Sequence, residues 1–454
     1  MNDELRVKNN ELGGKMNYRY RTDEEMKDSG VEWIGKIPKE WNVTKLKNLA
    51  TIVTGNTPSK NDEKNYENGI FQWIKPDNIT DDFKITESKD RLSTYGLKQA
   101  RLIPKNSALV CCIGTVGKVG ISEVECTTNQ QINSVVFDNK NWVNGFGIYA
   151  LISSRNEHER NSSKVVVSIL NKSQQGNINM PVPKSEEQQK ISKFLNEKTA
   201  QFDSIISKKE ALIEKLEEAK KSLISEVVTG KVKVVKTNDG YELVERKKEE
   251  MKDSGVEWLG LVPKGWKIIK LKYLATLMNK KVKSNSVDKY IGLENVESKT
   301  GFIISYTDPE KVESDLSTYF DRNMVLFGKL RPYLAKCVVT ETSGICSDEF
   351  LVLRTLRLSP NILKYIMLNS EFIDLVNSST YGAKMPRANW DFISNIKVPF
   401  FSADEQTIIE EFIIYKCNSI DKIINIKKQQ IEKLKEAKQS LISEAVTGKI
   451  EILD

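Results

Sequence analysis

EEAKKSLISEVVTGK at residues 217–231 returns as KEAKQSLISEAVTGK at residues 435–449, identical at twelve of fifteen positions and displaced by 218 residues. Each closes a longer stretch, 187–230 and 405–448, whose apolar residues recur at intervals built from threes and fours. In the first these are Leu195, Phe202, Ile205, Leu212, Leu216, Ala219 and Leu223, passing over Lys209. In the second they are Ile413, Ile420, Ile423, Ile431, Leu434, Ala437 and Leu441. A heptad seam flanked by Lys and Glu predicts a long helix that pairs with another. Gly230 and Gly448 fall where a left-handed residue would end each helix. At ~1.5 Å per residue each would run roughly 65 Å. One stripe cannot bury itself, so the two copies are expected to bury theirs against each other.

A second block is also used twice. EEMKDSGVEWIGKIPKEW at 24–41 reappears as EEMKDSGVEWLGLVPKGW at 249–266, with fourteen of eighteen residues identical. Its Trp33, Trp41, Trp258 and Trp266, with Pro38 and Pro263, predict an anchor that docks a domain entrance on the helices. Between the shared blocks the chain diverges. Segment 42–186 carries TGNTPSK, LVCCIGTVGKVG and TTNQQIN, whereas 267–404 carries FGKLRPYLAKC, GICSDEFLVL and YGAKMPRANW. Both alternate short β-branched runs with Gly, Asn and Pro turns, the signature of α+β domains. The expected order is a polar arm (1–25), a variable domain (26–186) and a central helix (187–230). A linker (231–250), a second variable domain (251–404), a second helix (405–448) and a tail (449–454) follow. A common scaffold with divergent domains suggests one assembly surface and two binding specificities.

The 454 residues are enough for about three domains. With 39% hydrophobic and 29% charged residues the composition is that of a globular protein, and the net charge of +7 permits a nucleic-acid partner without requiring one. Cys111, Cys112, Cys126, Cys337, Cys346 and Cys417 form no CxxC and read as buried, reduced thiols. Neither a signal peptide nor an apolar run of membrane-spanning length is present, which points to the cytoplasm.

Catalytic chemistry is sparse. The single histidine, His158, lies in the polar run RNEHERNSS and is expected to be solvated. GTVGKVG at 114–120 lacks P-loop spacing and reads as a β-turn exposing Lys118. Pro76-Asp77 with Glu87-Ser88-Lys89 spells a nuclease-like PD…ExK pattern, but NITDDFKIT between them is loop-like, and such carboxylates must project together to hold a metal. No zinc-ligand spacing occurs. The expectation is therefore no catalytic, cofactor or metal residue on this chain.

Binding chemistry is present. In the first domain Thr54, Asn56, Thr57, Ser59 and Lys60 sit on a Gly/Pro turn, with Lys118 and the Asn129, Gln130, Gln131 run beyond it. In the second, Lys329, Arg331, Tyr333, Lys336, Lys384 and Arg387 cluster in two loops. Arg pairs with guanine, Asn and Gln pair with adenine, and Lys, Ser and Thr suit phosphates. These fifteen residues are the candidate DNA contacts.

Over residues 16–454 the sequence resembles the specificity subunits of type I restriction–modification enzymes. KDSGVEWIGKIP and KDSGVEWLGLVP carry the resemblance, together with GNTPSK, TNQQI, FGKLRPYLAKC and GICSDEFLVL. The exits MPVPKSEEQQKI and VPFFSADEQTII and the paired LISEVVTGK and LISEAVTGK ends complete it. The second exit has Phe400-Phe401 where the family, like Pro183 here, often keeps a proline. The resemblance implies an α+β chain with an internal pseudo-twofold repeat. Two variable DNA-recognition domains would be separated by two long helices packed as an antiparallel coiled coil. It further implies that each domain reads half of a split site in double-stranded DNA. Two methylation subunits would carry S-adenosylmethionine, and two restriction subunits would use ATP and Mg for translocation and cleavage, with no membrane partner. A competing reading is a two-domain scaffold that binds other proteins through a coiled-coil rod.

Overall fold

The computed structural model describes residues 18–453 except 139, 141, 165, 284–287, 310–314 and 381–384. The chain divides into two compact units. One comprises residues up to Glu210 together with Lys428–Asp454, and the other comprises Ala211–Lys427. Each unit thus holds one variable domain and half of each long helix. The helices span Ser185–Val228 and Ala403–Val446, 44 residues apiece. Among the described residues no helix is long and apolar enough to cross a membrane.

The helix halves run antiparallel within each unit. In the first, Lys438 bonds Asp203 and Gln430 accepts from Lys209, so one number falls as the other rises. In the second, Lys220 bonds both carboxylate oxygens of Asp421. The buried stripe differs by one residue from the apolar count. Ile206 is buried and Ile213 and Lys220 are half-buried where Ile205, Leu212 and Ala219 were expected, and Ile424 and Lys438 are buried in place of Ile423 and Ala437. The seam keeps its alternation of threes and fours by taking in lysines, each matched by a polar partner on the facing helix.

Both helices end alike. Lys231 N–H donates to Glu226 O and Gly230 N–H to Val227 O; Lys449 and Gly448 repeat this with Glu444 and Ala445. This is the Schellman pattern, and both glycines are left-handed, with φ of 76° and 71°. A Cβ at Gly230 would overlap Pro263, and one at Gly448 would overlap Pro38. The proline and tryptophan of each entrance block therefore close over a helix end. Trp41 Nε1 donates to Glu187 and Trp266 Nε1 to Glu405, in the first turn of the other helix. Arg21 and Arg246 bind the same two carboxylates. The anchoring role read from the repeated tryptophans holds in both units.

Three sequence expectations change. Residues 18–25 are not a free arm, nor is 449–454 a loose tail: Tyr18–Tyr20 pairs antiparallel with Ile450–Ile452, and Tyr18 is buried. The stretch 231–250 is no plain linker but contains a hairpin, Val232–Thr237 with Gly240–Glu245. The two are equivalent, since residues 232–234 and 243–245 map by the repeat offsets onto 450–452 and 18–20. His158 is not solvated. It is fully buried, with Nδ1 at 2.9 Å from Ser154 O and Nε2 facing Gln175, and burial pushes its pKa down to about 4. Its polar neighbours in sequence lie on the outside of the one-turn helix Arg155–Arg160. The six cysteines are all free and buried.

Each variable domain is built on the same four-stranded antiparallel sheet. The order is Ala50–Thr54, Ile132–Phe137, Ala108–Cys111, Val119–Ile121 in the first and Ala275–Met278, Phe350–Thr355, Val325–Gly328, Cys337–Val339 in the second. The first unit packs Trp41, Trp142 and Phe146 into one core, and the second packs Trp266, Phe327, Phe372 and Phe412.

Candidate nucleic-acid interface

At one end of the four-stranded sheet the first domain gathers four segments. Gly55 N–H donates to Ile132 O and Asn56 N–H to Thr128 O, which brings the TGNTPSK turn against TTNQQI. A Cβ at position 55 would overlap Asn129 O, so only glycine permits this approach. Thr54 Oγ1 bonds Asn133 Oδ1 at 2.7 Å, and Thr57 Oγ1 bonds Gln130 Oε1. Ser59 and Lys60 are exposed beyond the turn. A third segment joins where Cys112 N–H donates to Gln131 O at 2.7 Å. A fourth joins where Leu170 N–H donates to Cys112 O at 2.8 Å and Gly114 N–H to Ser168 O at 3.0 Å.

The second domain repeats the backbone bonds that join the second, third and fourth segments. Lys329 N–H donates to Glu349 O, Ala388 N–H to Lys329 O, and Arg331 N–H to Pro386 O, each at 2.8 Å. The bridge Ile113–Ile169 becomes Leu330–Arg387. Scaffold and offsets match, but the side chains do not. Gln131 is replaced by Glu349, Gln130 by Asp348 and Ile169 by Arg387. The Asp348 carboxyl, which burial alone would raise, is held below its usual range by Lys281, Thr318 and the charge of Lys329.

The candidate residues thus fall into two groups. Thr54, Asn56, Thr57, Gln130 and Gln131 are brought together, as are Lys329, Arg331 and Arg387. Lys60 in the first domain and Lys329 and Arg331 in the second have no hydrogen-bonded side-chain partner among the described residues, and Tyr333 is exposed two residues beyond Arg331. Others are already engaged. Asn129 is buried, its Nδ2 and Oδ1 both spent on Gln131 within the turn. Asn56 Nδ2 donates to Gln99 O, and Lys336 Nζ donates to Leu293 O at 2.6 Å. Lys118 is not the exposed lysine of a turn but a half-buried one, 3.3 Å from Asp81, in a groove of about 1020 Å³ that Asp203 and Lys438 also line. Lys384 lies outside the described residues. Glu349 and the apolar hairpin edge at Val166, Val167 and Ile169 escaped sequence reasoning. Aligning TTNQQI on CSDEF by the 218-residue offset is the signal that finds Glu349.

The PD…ExK residues do not form a carboxylate pair on adjacent strands. Asp77 is exposed on a single 3-10 turn, Pro76–Asn78, and Glu87 is held by Arg91.

Comparison with known proteins points the same way as the sequence motifs. The type I restriction modification DNA specificity domain matches residues 38–218. The type I restriction enzyme MjaIX specificity subunit of Methanocaldococcus jannaschii is 25% identical over 453 residues, 96% of this chain and 98% of that one. Over nearly its whole length the chain is similar to the type I restriction–modification specificity subunits. The HindI specificity subunit of Haemophilus influenzae is 35% identical over 106 residues, 23% of each protein. A chain from a solved structure on complex assembly and conformational transition of the type I R-M system shares the fold. Its TM-score is 0.64 at 12% identity, covering 91% of this chain and 99% of that one. The likeness supports sequence-specific DNA recognition within a type I restriction–modification system.

Proposed function

We propose that the two domains, residues 26–186 and 251–404, each read one half of a bipartite site in double-stranded DNA. The paired helices set the gap between the halves and dock two methylation subunits. S-adenosylmethionine is bound by those partners, and ATP and Mg by two restriction subunits; no residue of this chain is assigned to a cofactor. The observation that carries the reading is that three segments are joined by the same backbone bonds in both domains and furnished with different polar chemistry in each. A shared scaffold with exchanged side chains is what two different sequences read by one geometry require. Thr57, Gln130 and Gln131 face bases in the first half-site, and Arg387 does so in the second. Lys60, Lys329 and Arg331 take phosphates.

Sequencing of methylated adenines in a host that expresses this chain with its methylation subunit tests the reading. A motif of two specified blocks around an unspecified gap is expected. Replacing residues 267–404 with a relative's domain should change one block and leave the other intact. A change in both blocks, or methylation without a motif, would refute it.

A further inference from the structure

We infer that the point where the fourth segment crosses the junction, Ile169 in the first domain and Arg387 in the second, is a base-reading position. Arg387 reads the guanine of a G·C pair in the second half-site, and Ile169, with Val166 and Val167, covers thymine methyl groups in the first. This rests on the half-site reading proposed above and adds the chemistry of two base pairs to it.

Glu349 holds Arg387 in place. Its carboxylate accepts from Arg387 Nε at 3.2 Å and from Nη2 at 2.8 Å. A guanidinium has five N–H donors, so the Nη1 edge and one Nη2 hydrogen remain available outward. The Arg387 side chain is 51% exposed, and an ion pair that open contributes little to stability. What the carboxylate does is hold a planar fork in one orientation, so less freedom is lost when the fork docks. A fork presented this way matches the O6 and N7 acceptors of guanine, the commonest specific contact in the major groove. Glu349 acts here as a positioning residue.

The same place in the first domain carries the opposite chemistry. Ser163–Lys164 and Ser168–Ile169 form a hairpin, and at its tip Val166 is 93% exposed, Val167 48% and Ile169 46%. The small core beneath takes Leu170, Cys112 and Val116, and leaves these three outside. Branched aliphatic groups left in water on a hairpin tip contribute nothing to folding. The one apolar feature on the floor of the major groove is the thymine C5-methyl group, and aliphatic side chains recognise it. Gln130, bonded to Thr57 on the neighbouring segment, stands on the same side of the junction with an amide suited to the paired adenine. In the second domain the equivalent of Gln130 is Asp348, so cationic and acidic groups replace the aliphatic and the amide at these two positions, while Met385 keeps the place of Val167 apolar.

The test uses the intact complex with its methylation subunit, in a host lacking type I methylation of its own. Methylated adenines are mapped for the wild type and for Arg387→Ala, Arg387→Lys, Glu349→Gln and Ile169→Ser. The domain exchange described above identifies which block belongs to which domain. Arg387→Ala should relax one G·C position in the second block by about 10-fold or more and leave the first block untouched. Arg387→Lys should relax the same position, because an ammonium keeps the charge but loses the fork. Glu349→Gln should relax it more weakly, and Ile169→Ser should relax one A·T position in the first block only. An unchanged motif in Arg387→Ala, or relaxation at an A·T pair, overturns the inference. So does uniform weakening at every site with a flatter salt dependence, which marks a phosphate contact. If Arg387→Ala abolishes methylation, the Lys and Gln variants decide, and loss in all three from an assembled complex also overturns it. A wild-type complex that methylates no bipartite motif instead refutes the underlying half-site reading.

Discussion

Lys438 donates to Asp203 at 2.7 Å from a side chain only 7% exposed, and its ammonium lies 5.1 Å from the ring centroid of Phe83. Lys220, Asp421 and Phe302 repeat the arrangement in the second unit, with the ring at 5.4 Å. In each unit a lysine from one helix and an aspartate from the other meet under an aromatic side chain of the variable domain. Phe83 reaches this place from a left-handed backbone, φ 69°, and its carbonyl accepts from Ile121. The pair therefore does two jobs, since it joins the helices and fastens a domain loop to them. Lys438→Met should lower stability by about 1–3 kcal/mol, less than for a fully buried pair because Asp203 is 29% exposed. Adding Asp203→Leu should recover much of the loss. Urea unfolding of the single and double variants measures both.

His158 gives the protein a pH dependence of known sign. Burial lowers its folded pKa from 6.5 to about 4. Between those values the unfolded chain binds a proton that the folded chain refuses, so stability falls as pH drops through this window. The loss should reach about 2 kcal/mol between pH 7.5 and pH 5. No other histidine contributes, because the chain has only one. Melting curves across this range should show the decline in the wild type and a much flatter profile in His158→Gln.

The salt dependence of DNA binding separates phosphate contacts from base contacts. Lys60→Ala, Lys329→Ala and Arg331→Ala should each weaken binding to all sequences and lower the slope of log K against log salt by about one. Gln131→Ala should leave the slope unchanged and relax one base position. DNA shifts of the assembled complex at several salt concentrations distinguish the two.

The helices offer a ruler that can be lengthened in register. Seven residues inserted in both helices, after Glu210 and before Lys428, continue the alternation of threes and fours and add ~10 Å. Duplex DNA rises ~3.4 Å per base pair, so the unspecified gap should grow by about three base pairs with both blocks unchanged. Methylome sequencing reads the gap directly, and the original spacing would show that the helices do not set it.

The sequence by itself determined the repeat, the two long helices and the likeness to specificity subunits. Near-identical blocks at fixed offsets survive in a linear string, and a heptad is a local, periodic signal. Helix ends were legible for the same reason, because Gly230 and Gly448 encode a backbone conformation in the residue itself. The tertiary structure decided what depends on partners distant in the chain. Lys220 and Lys438 sit in a seam that an apolar count skips, because Asp421 and Asp203 across the helix pair satisfy them. His158 is buried although every neighbour in sequence is polar, since a single helical turn points one side inward. Residues 18–20 and 450–452 close as a strand pair that repeats an internal hairpin, a relation that no local pattern encodes. The junction at the end of the sheet follows the same rule. Its polar residues could be listed from turn composition, but Glu349 gains its role only where Arg387, 38 residues away in the chain, folds back to within hydrogen-bonding distance of its carboxylate.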